Sequence, residues 1–361
     1  MAPPPLARFR PDLQRSVNPW TGGANIDQID TRNRLVVKHV GAVGARFGPA
    51  QSIGLLYVLV YVDDIIIIGN DSRVIDRFVA QLNDTFSLKD LGKLSYFLGI
   101  EVNYGSDGVF LTQRKYVLDL LKRASMDRSN SLPTPMVTTS KLSVSEGSPV
   151  EDEHRYRSIV GALQYVVITR PDIAYSVNKV FQFMHRPLDV HFKAVKRIFR
   201  YLQGTLNYGL QFTRTSKFLL EGYSDASWGS DIDDRRSTSG FCVFLEYRSI
   251  AHVTAEMVWI QSLLTELCVP VKHKAMIWCD SSAAVAVAGN PVMHSKFKHV
   301  ELDLFFVREK VVSGQFQVGH VPASDQIADI LMKPLLEPLF TKFHRQLRVG
   351  ITTESSKEVR S

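Results

Sequence analysis

Apolar and polar positions follow two rhythms along this chain, one of period two and one of period three to four. From Leu55 the residues LLYVLVYV run into Asp63-Asp64 and then IIIIG. Two β-branched runs around adjacent acids predict strand, tight turn and strand. A helix is expected from about Arg73, with Ser72 as N-cap and Ile75, Val79, Leu82 and Phe86 on one face. YFLGIEVNYG and VFLTQ, joined by Ser106-Asp107-Gly108, predict a second hairpin, and Val117, Leu120, Leu121 and Ala124 a short amphipathic helix. Further helical stripes follow: Tyr156, Ile159, Leu163 and Val166; then Ile173, Val177, Val180, Phe181 and Met184; then Phe192, Val195, Phe199 and Leu202. From Phe218 the pattern is mixed. FLLEGYSDASW, STSGFCVFL, AMIWCD and FQVGHVP read as strands, and a long helix is expected from about Glu246 to Leu267.

Between these patterned stretches the composition shifts. Residues 1–53 are rich in Gly, Pro and Arg, keep no period and stay unassigned. Residues 125–150 are rich in Ser, Thr and Pro and read as a linker, and residues 336–361 as a polar, frayed tail. At 361 residues the chain has room for two or three domains, with 45% hydrophobic and 22% charged residues as in ordinary globular proteins. The formal charge of +7 suits a polyanionic partner, although many basic proteins bind no nucleic acid. Cys242, Cys268 and Cys279 show no C-x-x-C spacing, which argues against a disulfide framework or a structural zinc and for a reducing, intracellular setting, cytoplasmic or nuclear. The longest apolar run, Ile53 to Val62, is too short to span a bilayer, and no signal peptide is visible, so membrane and secreted readings are set aside.

Three groups of residues could carry chemistry. Asp63 and Asp64, adjacent at a turn between apolar strands, repel each other unless a cation compensates; Mg²⁺ would serve, and a bare Asp-Asp pair is otherwise more often an exposed turn. Asp225 and Asp280 end strands, Glu246 opens the long helix, and Asp329 sits on the last helix. Two-metal phosphodiester hydrolysis uses such a set, with carboxylates from several elements holding two ions about 3.5–4 Å apart. Glu246 lies on the stripe of Ile250, Val253, Met257, Ile260, Leu264 and Leu267 that must face the sheet, whereas Glu256 is at its edge and Glu266 on the far side. A glutamate at a helix N-terminus also has a plain dipole explanation. His320 suits a proton shuttle or a structural role. Lys193, Lys196, Arg197 and Arg200 make a helical stripe in a stretch free of acids, read equally as a solvated face or a phosphate-tracking one.

The segments YVDDIIIIGND, FSLKDLGKLSYFLGIEV, YRSIVGALQYVVITRPDIAYSVN, HFKAVKRIFRYLQGT, GYSDASWGSDIDDRRSTSGFCVFL and ADILMKPL, in that order over about residues 54–335, resemble the end of a copia-type long-terminal-repeat retrotransposon Pol polyprotein. The resemblance implies an α+β and α/β multidomain fold. Its parts would be a truncated reverse-transcriptase palm and thumb remnant over 54–124, a helical connection over 151–213, and a ribonuclease H-like mixed-sheet domain over 214–335. It matches Asp63 and Asp64 to the polymerase's paired aspartates, Asp225, Glu246, Asp280 and Asp329 to the ribonuclease H acids, and His320 to its histidine. It also implies Mg²⁺ (or Mn²⁺) and RNA–DNA hybrid or primer-template as partner, with an intact element polymerase as another. Upstream of Tyr61 the acids are Asp12, Asp27 and Asp30, none in an apolar strand, so the polymerase is expected to be inactive. The strand and Ser-rich turn that the family places before Glu246 are missing, a loss expected to bare a sheet edge and misplace that glutamate. The alternatives are a non-catalytic nucleic-acid-binding remnant and a decayed relic.

Overall fold

The computed structural model describes residues 6–11, 56–61, 64–86, 88–106, 108–139, 142–214, 219–225, 246–269, 271, 273–289 and 301–351. They form a mixed helix-and-sheet protein of two compact units, divided between Phe97 and Leu98.

The first unit contains β1 (Leu6–Pro11), β2 (Leu56–Tyr61), β3 (Asp64–Gly69), α1 (Ser72–Thr85), β4 (Leu88–Lys93) and the short β5 (Tyr96–Phe97). The expected hairpin is present: β2 and β3 pair antiparallel from Leu56↔Gly69 to Tyr61↔Asp64. Leu56, Ile67 and Ile75 make its small core, with Phe78, Val79 and Leu82 of α1 packed on it. Asp71, one residue before the expected cap, caps α1 by accepting from the Arg73 N–H at 2.9 Å. The unassigned N-terminal stretch contributes β1, between β3 and β4 in the order β2-β3-β1-β4.

The second unit opens with β6 (Ile100–Gly105) and β7 (Gly108–Thr112), the expected second hairpin, closed at Gly105↔Gly108. The helices α2 (Arg114–Arg123), α3 (Glu153–Val166), α4 (Ala174–Phe181) and α5 (Asp189–Gly204) follow, then β8 (Gly209–Thr213), which pairs with β7. Tyr156, Ile159, Leu163 and Val166 are all buried, each apolar side chain contributing about 1.5–3 kcal/mol. On α4, Phe181 departs from its stripe and is exposed.

The rest of the chain is β9 (Glu221–Ser224), α6 (Glu246–Glu266), β10 (Ala275–Cys279), α7 (Ser282–Gly289), α8 (Glu301–Val312), β11 (Phe316–His320), α9 (Asp329–Met332), α10 (Glu337–Gln346) and β12 (Val349–Gly350). β9, β10 and β11 form a parallel sheet with β10 in the centre. Ile250, Met257, Ala275, Ile277 and Phe316 share its core, as the stripe on the long helix requires. Gly222 permits the close approach of α6 to β9, since a Cβ there would stand 2.5 Å from Val253 Cγ1 and 2.7 Å from Met257 Sδ. The expected strand STSGFCVFL lies outside the described residues.

Three boundaries differ from expectation. The division after Phe97 cuts through residues 54–124, because the β6–β7 hairpin takes β8 as its next strand. Met136 and Leu142 of the expected linker are buried in the helical core, so part of that segment packs against the helices while most of its other described residues are exposed. The expected tail 336–361 holds α10, whose Phe340 and Phe343 are buried in that core, and β12, which pairs with β8. Its polar composition hides two aromatics three residues apart, enough to seat one helical face.

Candidate functional site

The parallel sheet places the acids. Cys279 of β10 is level with Ser224 of β9 and with His320 of β11, so the residues after β9 and β10 leave the sheet at one end. Those residues are Asp225 and Asp280, and the C-terminal ends of parallel strands are where such sheets present their chemistry. Asp329 joins them from the first residue of α9. That helix is held by the helical body rather than by the sheet: Ile330 is part of the core that includes Ile173, Val177 and Phe343. The acids of the sheet and the acid of α9 therefore meet where the two parts of the second unit adjoin.

Asp225 is 8% exposed and Asp329 3%, while Asp280 is half-buried. Burial pushes the Asp329 carboxyl up to about 7; the neighbouring Asp225 adds to the rise and Lys333 offsets part of it. Burial also raises Asp280, with Asp225 again contributing. Lys333 lies 2.8 Å from Asp329 Oδ1 and 3.8 Å from Asp225 Oδ2. Burial works against its ammonium charge, but Asp329 and Asp225 more than offset that, so its pKa is raised. Gln326, fully buried, donates to the Ser224 carbonyl at 2.9 Å and moderates Asp280. The loop before it is tied to α10 through Lys342, which reaches the Ser324 carbonyl at 2.6 Å and Asp325 at 2.5 Å.

His320 is exposed at the end of β11, with Nε2 3.1 Å from the Asp280 carbonyl oxygen. Glu246 opens α6 as expected, and its side chain lies outside the described residues. The competing glutamates Glu256 and Glu266 are exposed. In the first unit Asp64 is buried at the start of β3, and Asp63 lies outside the described residues. Among the described residues no three His, Cys, Asp or Glu side chains already stand close enough together to hold a metal ion. In kind the acids fit one, because hard divalent cations take carboxylate oxygens and the buried pair Asp225–Asp329 calls for positive charge.

The basic stripe divides. Arg197 donates to Thr134 Oγ1 at 2.9 Å and Arg200 Nε to the Asn130 carbonyl at 2.7 Å, so both brace the packed 125–150 segment. Lys193 is exposed and pairs with Asp189 at 2.7 Å, and Lys196 is exposed with its ammonium 5.3 Å from the centre of the Phe192 ring. Arg197 and Arg200 are half-buried and Lys193 and Lys196 exposed, and each of the four has a partner within the chain.

Residues 35–138 match the family model described as reverse transcriptase (RNA-dependent DNA polymerase). The retrovirus-related Pol polyprotein from transposon RE2 of Arabidopsis thaliana is 42% identical over 82% of this chain and 22% of its own length. An uncharacterized mitochondrial protein of Arabidopsis thaliana is 39% identical over 56% of this chain and 94% of its own length. The chain belongs to the copia-type retrotransposon Pol family. It spans about a fifth of the length of that polyprotein relative. The reverse-transcriptase match of this Pol chain runs through both units, from before β2 to beyond α2. Among solved structures, one of a foamy viral protease-reverse transcriptase in complex with RNA/DNA hybrid superposes with a TM-score of 0.41 at 10% identity, over 74% of this chain and 36% of that one, too slight a likeness to argue from.

Sequence reasoning missed Lys333 and Gln326. Lys333 follows Asp329 by four residues, the helical spacing at which charges meet, and that spacing is the signal that would have found it.

Proposed function

We propose that the C-terminal part of the second unit is a ribonuclease H-like nuclease that cuts the RNA strand of RNA–DNA hybrids. The observation that carries this is the convergence of Asp225, Asp280 and Asp329 at one end of three parallel strands. Asp225, Asp280, Asp329 and Glu246 would hold Mg²⁺, or Mn²⁺ in its place, and the bound metal supplies an activated water and charge stabilisation at the leaving oxygen. The chain's own residues do the rest. Gln326 fixes the end of β9, and α10 steadies the loop that carries it. His320, exposed beside the Asp280 carbonyl, would exchange protons with solvent.

Hybrid and primer-template bound along the helical body would meet the basic stripe of Lys193, Lys196, Arg197 and Arg200, of which the two lysines are the more exposed. Cleavage of a labelled RNA–DNA hybrid in Mg²⁺ tests the reading. Asp225→Asn should lower the rate by at least about a hundredfold, and cleavage unaffected by that change would refute it.

A further inference from the structure

Lys333 stands among the acids and is anchored twice to one of them. Its backbone N–H donates to the Asp329 carbonyl at 3.0 Å, and its ammonium returns to lie 2.8 Å from Asp329 Oδ1. The same ammonium is 3.8 Å from Oδ2 of Asp225, on a different element. The two carboxylate side chains are 5% and 10% exposed, while that of the lysine is 45% exposed. Two buried carboxylates side by side repel, and a cation between them removes the repulsion. Here the chain provides that cation itself. An ammonium on a flexible stem is a point charge that can leave toward solvent without disturbing the backbone.

Resting on the nuclease reading above, we propose that Lys333 is a tethered counter-ion that holds Asp225 and Asp329 together in the metal-free protein and competes with the divalent cation for their oxygens. The lysine then sets the metal concentration at which the site fills. It is a positioning residue, and its loss should tighten metal binding, a direction that a merely structural role would not produce.

The test is Mn²⁺ binding by the full chain without nucleic acid, followed by the electron paramagnetic resonance of the free ion. Lys333→Met should bind Mn²⁺ on the order of tenfold more tightly than the parent chain, tenfold being the effect of about 1.4 kcal/mol. Lys333→Gln, a second neutral variant, should do the same, and Lys333→Arg should stay within about threefold because it keeps the charge. In EDTA the neutral variants should melt below the parent, and Mn²⁺ should raise their melting temperature more. Equal or weaker Mn²⁺ affinity in a folded neutral variant overturns the role of Lys333, while loss of binding in Asp225→Asn still supports the site. No Mn²⁺ binding by the parent and the neutral variants alike overturns both the role and the nuclease reading.

Discussion

Replacing Asp172 by Asn should unfold the second unit far more readily than a change of one atom suggests. Asp172 accepts from Arg170 Nε at 3.0 Å and from a terminal guanidinium nitrogen at 2.8 Å, and from the Tyr201 hydroxyl at 2.5 Å. The side chains of Arg170 and Asp172 are 2% and 0% exposed. Burial alone would drive Asp172 toward its neutral form, but Arg170 overrides it and holds the carboxyl below its usual range. Arg170 also donates to the carbonyl and hydroxyl of Thr205, and its guanidinium lies 5.3 and 5.5 Å from the rings of Tyr201 and Tyr208. The asparagine side chain would keep the shape, turn one acceptor into a donor facing donors, and leave a buried guanidinium without its counter-charge. Breaking a buried pair in this way costs about 3–5 kcal/mol. At an m-value near about 3 kcal/mol/M that moves the urea midpoint down by roughly 1 M or more. Circular dichroism during urea unfolding at pH 7 measures it, with Arg170→Met and the double variant completing a cycle. A loss below about 1 kcal/mol in Asp172→Asn, or losses that simply add in the double variant, would show that the pair is not acting as a unit.

Two further outcomes follow from burial. Asp329 ionises near 7 in the folded chain against 3.8 for the free group, so the unfolded chain releases its proton first and stability should fall as pH rises from about 4 to about 7. With the solvent beside Lys333 the effect is on the order of 1–2 kcal/mol, read in EDTA as the difference between the parent and Asp329→Asn. The difference is needed because His344, held neutral by burial, loses stability in the opposite direction as pH falls. Phe343→Ala should cost about 3–5 kcal/mol by urea unfolding, since that side chain is 0% exposed; a loss under about 1 kcal/mol would return residues 336–351 to the status of a tail.

The elements with a strong period were legible in the sequence. The β2–β3 hairpin around Asp63-Asp64, the β6–β7 hairpin, the stripe of α3 and the start of α6 at Glu246 all follow from residue spacing that local physics enforces. Asp225 and Asp280 at strand ends and Asp329 on a helix were legible for the same reason. What stayed hidden depends on partners distant in sequence. Composition made 125–150 look like linker, yet Met136 and Leu142 are core and Thr134 and Asn130 take up Arg197 and Arg200. A cation stripe on a helix says nothing of what packs beside it, and Arg197 and Arg200 turned out to brace that segment. The pairing of β8 back to β7 and the seating of Ile330 in the helical body are likewise long-range contacts that no local period announces.

Among its described residues the second unit holds two buried acid sites with different cations. Arg170 meets Asp172 as a planar fork, is sealed from water and is fixed again by Thr205, so nothing can replace it without unfolding its surroundings. Lys333 meets Asp329 and Asp225 as a single point charge from a half-exposed side chain at the end of a short helix. An arginine fork cannot leave without giving up several directed hydrogen bonds at once, whereas a lysine ammonium is a point charge that yields its place without breaking such a fork. On the nuclease reading proposed above, the same chain uses a rigid pair where the core needs closing and an exchangeable one where a metal would bind. By that logic Lys333→Arg, which keeps the charge and preserves weak metal binding, should slow the loading of the site, since a fork bridging Asp225 and Asp329 leaves less readily than an ammonium. Stopped-flow mixing with Mn²⁺ reads that rate, and loading as fast as in the parent chain would refute the distinction.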